Sequence, residues 1–422
     1  MSVLLVSNVA PAFASQVSSA GGTIGYTADA GEANDVTVSY SQGSGNYTIT
    51  DAGVLVIGNG FGCTLSGNQA TCPGSGVTSL SITLGDMDDR ATIDQTINQS
   101  VPVVPVVSGE DGNDTIIDNS ASYTPDTGIS SLDGGTGNDS ITYSANGPDA
   151  PRGTAVSLLR GEEGNDTLTA TGSAPVSAQG GPGDDTVQGG GGSDALWGGD
   201  DGWNDQNSGN NTVDGGDGDD LVQDGGGDST LRGGAGNDVI DTGDGDDHVL
   251  GGDGDDEIDV QPLAAGGADT IDAGAGDDVI WGYETPDAID TLTCGAGSDK
   301  AGEGPNDVVA VDCEVVYFVF TCPSSPEICT GTATVNGTTG SAGAKQGVAA
   351  ASRQTVTLAS RRFQVKPGNK RKLKLRLDKS KERLVLKGRD TAPVARRAKW
   401  RKGDRRFYSK QPFKLSRVHR AG

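Results

Sequence analysis

A nine-residue period runs through the middle of this chain. Gly180-Gly181-Pro182-Gly183-Asp184-Asp185-Thr186-Val187-Gln188 leads straight into Gly189-Gly190-Gly191-Gly192-Ser193-Asp194-Ala195-Leu196-Trp197. The frame returns in blocks starting at 215, 224, 233, 242 and 251, and further copies start at 109, 134, 161, 264, 273 and 294. Twelve blocks hold Gly at position four and Asp at position six; position eight is Ile, Leu or Val in eleven of them and Ala301 in the last. Two copies depart: block 224 has Ser229 at position six, and the copy near 198 carries an insertion around Trp203. Six turn residues rich in Gly admit positive φ and leave backbone carbonyls uncovered. Three residues of β character follow, and one apolar side chain per nine can face inward. One unit cannot bury that side chain alone. Two units make a coil of two strands, and stacked coils bury a thin Ile/Leu/Val ladder. The expected fold class is therefore all-β: a parallel β-roll (a β-helix or solenoid) in which loops nine apart lie on opposite edges and loops 18 apart stack. On that scheme Asp220, Asp238 and Asp256 share one edge in consecutive rungs, and Ser229 interrupts the other.

Charge divides the chain in three. Residues 1–107 carry eight acids and one Arg, residues 108–317 carry 45 acids and four bases, and residues 318–422 carry five acids and 26 bases. The net charge of −27 thus averages over −7, −41 and +21. A repeat region of Gly and Asp at −41 has too little apolar content to collapse against its own repulsion unless cations enter. There is no long apolar run, so a transmembrane helix is not expected. The two histidines, His248 and His419, are too far apart for a His-x-x-x-His zinc helix, and neither a Gly-x-Ser-x-Gly elbow nor a phosphate-binding glycine loop occurs.

The nonapeptide Gly-Gly-x-Gly-x-Asp-x-U-x, with U a large apolar residue, resembles the RTX, or haemolysin-type, calcium-binding repeat. The resemblance implies Ca2+ as a multiple cofactor, held between stacked loops by position-six carboxylates and turn carbonyls. Carried over residue by residue, the candidate ligands are Asp114, Asp139, Asp166, Asp185, Asp194, Asp220, Asp238, Asp247, Asp256, Asp269, Asp278 and Asp299. Calcium takes six to eight oxygens, which such loops can offer. Binding free energy then becomes folding free energy, so the region is expected to be disordered in the cell and to fold after export. Position five holds Asp184, Asp219, Asp246, Asp255 and Asp277 but also Asn113, Asn138, Asn165 and Asn237. No carboxylate is required there, and a backbone carbonyl and surface charge are the expected contribution. His248, at position seven, is expected to face solvent.

The flanks read as separate units. Residues 1–15 resemble a signal peptide with an Ala-Phe-Ala cleavage motif ending at Ala14. Residues 16–107 form an N-terminal β unit of short strands, among them 36–40, 47–50 and 80–84. Its run Gly85-Asp86-Met87-Asp88-Asp89 departs from the repeat at Met87. The roll occupies residues 108–317. Residues 318–390 form a small β-sandwich-like module with strands near 318–321, 330–335, 356–358, 363–366 and 372–377, and resemble an immunoglobulin-like module of bacterial surface proteins. Residues 391–422 read as a basic, disordered tail. Six cysteines in three close pairs, Cys63/Cys72, Cys294/Cys313 and Cys322/Cys329, predict three local disulfides and an oxidising, extracellular location. The segment from Leu292 to Glu314 resembles the terminating rung of related secreted bacterial proteins, and residues 31–36 with the Cys63/Cys72 pair and Gly85 resemble their leading unit.

The expected function is a secreted, non-enzymatic calcium-binding repeat protein with a structural or adhesive role at the cell surface or in matrix. The expected partners are calcium ions and, through the basic C-terminal region, acidic cell-wall or extracellular polysaccharide; no motif for specific nucleic acid recognition is present. The alternative is an accessory calcium-binding module of an extracellular protease, lipase or epimerase.

Overall fold

A computed structural model gives the fold. It describes residues 15–303 except 53–56, 59–61, 95–102, 120–129, 148–156, 200–208, 261–266 and 283–288, together with Cys313 and the backbone of strands between 308 and 414. The signal-like segment 1–14, Trp203, Cys322 and the side chain of Cys329 fall outside the described residues. Every described element is a strand, as the repeat requires. The chain divides into two compact units, residues 1–221 and 222–422.

The first unit opens antiparallel and turns parallel. Gln16–Ala20 pairs antiparallel with Thr23–Thr27, and Asp35–Ser41 with Asn46–Asp51, which also pairs antiparallel with Gln69–Pro73. Parallel stacking then begins: Ser79–Gly85 lies on Thr23–Thr27, and Arg90–Asp94 lies on Asp35–Ser41. Val104–Asp111 continues on Ser79–Gly85, so rungs already stack in parallel before the first full nonapeptide. Antiparallel hairpins of this kind cap the otherwise open end of a repeat stack. The Cys63–Cys72 disulfide forms here.

Through the repeats the core is an apolar ladder, in which one residue of each strand stands in register with the next. In one sheet of the first unit Ile116, Ile141, Leu168, Val187 and Val213 stand in successive register. In the facing sheet Leu132, Leu159, Ala178 and Leu196 do the same. All nine are fully buried. The second unit repeats the plan: Leu231, Val249, Ile271 and Leu292 in one sheet, Ile240, Ile258, Ile280 and Ala301 in the other.

The parallel stack of the second unit ends on two strands. Val315–Thr321 lies parallel to Lys300–Glu303, and Lys370–Arg376 closes it antiparallel. The Cys294–Cys313 disulfide forms beside this end, as the close spacing of the pair predicts. A separate antiparallel sheet contains Gln354–Val365, Cys329–Thr339 and Pro393–Lys402, with Arg405–Tyr408 and Gln411–Lys414 on the last. The stretch expected as a disordered basic tail therefore carries strands at 393–414. Its density of Arg and Lys masked an alternation in the sequence that places Val394, Ala398 and Trp400 at even spacing.

Candidate metal centre

Every sequence-predicted ligand is buried: the twelve position-six aspartates are 0–4% exposed. Eleven of them, all but Asp238, share one contact. One carboxylate oxygen accepts a backbone N–H from the rung before it. In the first unit the N–H groups of Asp89, Asp114, Asp139 and Asp166 donate to Asp114, Asp139, Asp166 and Asp185 Oδ1 at 2.8, 2.6, 2.7 and 2.7 Å. On another edge Val176 and Asp194 donate to Asp194 and Asp220, both at 2.7 Å. In the second unit Asp238, Asp256 and Asp278 donate to Asp256, Asp278 and Asp299 at 2.9, 3.0 and 3.1 Å. On its opposite edge Ser229 and Asp247 donate to Asp247 and Asp269 at 2.9 and 2.8 Å.

The stacking interval differs from the 18 residues expected throughout. It is 18 from Asp238 to Asp256 but 25 from Asp114 to Asp139 and 27 from Asp139 to Asp166. Longer strands and connectors there put a whole coil between consecutive nonapeptide turns, so blocks 134 and 161 sit in adjacent rungs.

The second carboxylate oxygen is what marks these as cation sites. Oδ2 of Asp114, Asp139, Asp166, Asp247, Asp256 and Asp278 is buried and takes no hydrogen bond. A buried carboxylate oxygen without a donor costs free energy unless a cation meets it. The glycines reserve the space. A Cβ on Gly109, Gly134 or Gly161 would overlap Oδ2 of the Asp five residues on, and on Gly109 or Gly161 it would also overlap the carbonyl of the next rung's position one. At position four, a Cβ on Gly137, Gly164, Gly254 or Gly276 would overlap the carbonyl of the glycine one rung back. These glycines hold φ between 131° and 154°, which L side chains rarely adopt. Each turn thus lines a narrow groove with backbone carbonyls and a buried carboxylate, the hard oxygen donor set that calcium takes. Among the described residues no three His, Cys, Asp or Glu side chains converge. That is consistent with sites drawing one carboxylate per rung and completing the shell with carbonyls.

Electrostatics carry the same message. Burial pushes Asp114, Asp166 and Asp256 up to about 7 and Asp247 up to about 8. Burial likewise raises Asp139 and Asp278. Backbone N–H donors pull each of these down, and neighbouring carboxylates push them up again. A stack of buried acids raised in this way favours any cation that replaces the proton.

Position five forms a second ladder, by its side chains. Asn138 N–H donates to Asn113 Oδ1 at 2.8 Å, Asn165 to Asn138 at 2.7 Å and Asp184 to Asn165 at 3.0 Å. Asp255 N–H donates to Asn237 Oδ1 at 2.8 Å and Asp277 to Asp255 at 2.7 Å. This ladder points the other way along the stack. It needs one side-chain oxygen at a fixed reach, which explains why Asn and Asp exchange there. Its members are exposed, as is His248.

Three ladder members escaped the nonapeptide frame. Asp290 accepts Asp269 N–H at 2.8 Å and is 1% exposed. Asn211 accepts Asp185 N–H at 2.8 Å, standing at position six of the block interrupted near 198. Asp89, 4% exposed, accepts Asn34 N–H at 2.5 Å, and its pKa is pushed by burial up to about 6. A shorter signal would have found them: Asp or Asn two residues before a buried apolar residue, as in Asp290–Leu292, Asn211–Val213 and Asp89–Ala91.

The family model of the RTX calcium-binding nonapeptide repeat matches four times, at residues 177–202, 207–228, 223–258 and 264–290. These four stretches are similar to RTX calcium-binding repeats. They cover about a quarter of the chain. The blocks at 109, 134, 161 and 294 lie outside the matched residues, although their aspartates make the same ladder contacts as the RTX repeats. No curated protein and no solved structure matches the chain. The RTX repeats imply Ca2+ as the ligand of the grooves, and no helix among the described residues is long and apolar enough to cross a membrane.

Proposed function

We propose that the chain is a secreted, non-catalytic protein whose roll binds several calcium ions and folds around them on reaching calcium outside the cell. The observation that carries this reading is the row of buried aspartates with one oxygen held by the backbone of the neighbouring rung and the other facing a glycine-walled groove. Asp114, Asp139, Asp166, Asp185, Asp194, Asp220, Asp238, Asp247, Asp256, Asp269, Asp278 and Asp299 would hold the ions with turn carbonyls. Bound calcium supplies positive charge where −41 has accumulated in residues 108–317. The aspartates bridge rungs through Oδ1, so neutralising their Oδ2 atoms removes the repulsion that opposes stacking.

A structural or adhesive role fits a chain built of an acidic repeat region and a basic C-terminal region, itself read as immunoglobulin-like. That region, at +21 over residues 318–422, suits acidic cell-wall or extracellular polysaccharide as its partner. The Cys63–Cys72 and Cys294–Cys313 disulfides favour an oxidising compartment. The test is a calcium titration of the full chain followed by far-UV circular dichroism, with magnesium as control. A cooperative gain of β signal near the 10⁻⁴–10⁻³ M typical of extracellular calcium modules supports the reading. Full β signal in chelator, unchanged by calcium, overturns folding on export. Retention of the chain on an acidic polysaccharide resin such as polygalacturonate, lost at high salt, tests the partner.

A further inference from the structure

Block 224 is the one numbered nonapeptide without an acid at position six. It is also the one with an acid at position one. Position one is Gly, Ala, Thr or Cys in the twelve regular blocks; here it is Asp224, while position six is Ser229. The two exchanges meet in space. Ser229 Oγ donates to Asp224 Oδ2 at 2.8 Å, and both residues are buried, at 2% and 9% exposure. The turn remains in the ladder, since Ser229 N–H donates to Asp247 Oδ1 at 2.9 Å. The strand that follows keeps Leu231 fully buried.

An independent observation points to a ligand at this turn. Asp247, 2% exposed, has its Oδ1 taken by Ser229, and its Oδ2 is buried without a hydrogen-bond partner. Backbone oxygens of the turn lie close to the glycines of the next rung. A Cβ on Gly243 would meet Asp224 O and Gly225 O, both at 2.7 Å, and one on Gly245 would overlap Gly227 O. Ser229 thus joins the Asp247 carboxylate, through its N–H, to the Asp224 carboxylate, through its hydroxyl, in a turn that also carries uncovered backbone oxygens. That is the donor set of the regular repeats with one carboxylate moved from position six to position one. The move is sterically open, because position one accepts a Cβ in Thr242 and Ala273, both 0% exposed.

We propose that block 224 is a working calcium site in which Asp224 supplies the carboxylate that Ser229 lacks. The proposal rests on the calcium reading of the repeats. The rival reading makes Asp224 a hydrogen-bond staple for Ser229 and nothing more. Asp224→Asn separates the two, because the Asn amide oxygen can still accept from Ser229 while the charge is lost.

Calcium ions per full chain, counted by native mass spectrometry at saturating calcium, decide the matter. Asp224→Asn is expected to lose one ion relative to wild type, as Asp256→Asn loses at least one at a regular site. Ser229→Asp is expected to leave the count unchanged, because the site is already filled. If Asp224→Asn keeps the full count while Asp256→Asn loses ions, the inference fails and the calcium reading stands. A gain of one ion by Ser229→Asp also overturns it, since the block was then empty. Should Asp224→Asn fail to fold, the Ser229→Asp count decides alone. If wild type binds no calcium and Asp256→Asn changes nothing, the calcium reading itself has failed.

Discussion

The two units build the same contacts on different intervals. In the first, the early rungs repeat every 25 to 27 residues. In the second they repeat every 18 to 22 and carry acidic turns on both edges, Asp247–Asp269–Asp290 and Asp256–Asp278–Asp299. Yet the Oδ1 contacts between rungs run from 2.5 to 3.1 Å across both. What the fold conserves along the chain is a contact between rungs. The nine-residue period is one way to deliver it, and a longer strand with a connector is another. The matched RTX repeats begin at residue 177, where both edges start to carry turns, while the ladder itself begins at Asp89.

If carboxylate density sets calcium dependence, chelation should separate the units. This is the largest effect expected. Removing calcium from the full chain should abolish most β signal, and hydrogen exchange should accelerate first in peptides holding Ile258 and Ile280, later in those holding Ile116 and Ile141. Simultaneous loss would show that the interval between turns makes no difference to calcium dependence.

Protons should mimic the missing cation. Burial raises the folded-state pKa values of Asp114, Asp166 and Asp256 from the usual carboxylate value to about 7 and that of Asp247 to about 8. The folded chain therefore binds protons more tightly than the unfolded chain between about pH 4 and 8, so stability in chelator falls as pH rises through that window. The β signal that remains in chelator should be larger at pH 5 than at pH 8. In saturating calcium the trend reverses, because protons compete for the same oxygens. Asp247 places the last part of the titration in the second unit.

A backbone test should show the units alike. Gly137, at φ 131°, and Gly254, at φ 135°, each leave no room for a Cβ against the carbonyl of the rung behind. Alanine at either should destabilise by about 2–4 kcal/mol, measured as the shift in urea unfolding at fixed calcium. Tolerance at Gly137 alone would mean that the longer rungs flex where the short ones cannot.

How legible this was in the sequence follows from the same geometry. Position eight could be read directly, because burying one apolar residue per turn is the only way such a chain excludes water; Ile116 to Ala301 are all inside. The position-six acids were legible through the resemblance that their spacing supports. Asp290 and Asn211 were not, since insertions moved them off the frame while the Asp/Asn-x-apolar triplet kept them on the ladder. The role of position five was hidden for a different reason: an amide and a carboxylate offer the same oxygen, so a search for charge misses a hydrogen-bonding rule. The strands at 393–414 were obscured by charge.

The smallest expected effect concerns a local conflict confined to the first unit. Position two is usually Gly at positive φ, as in Gly135, Gly252 and Gly274. Blocks 109 and 161 instead hold Glu110 at φ 73° and Glu162 at φ 69°. A side chain in the left-handed region costs roughly 1–2 kcal/mol, and replacement by Gly returns some of this to unfolded-chain entropy. Glu110→Gly and Glu162→Gly should each stabilise the chain by about 0.5–1 kcal/mol. The gain should appear as a raised urea midpoint with an unchanged calcium count, because Oδ1 and Oδ2 of Asp114 and Asp166 are untouched. A lowered calcium count would instead give these glutamates a part in the sites, and would make the first unit's turns different in chemistry as well as in interval.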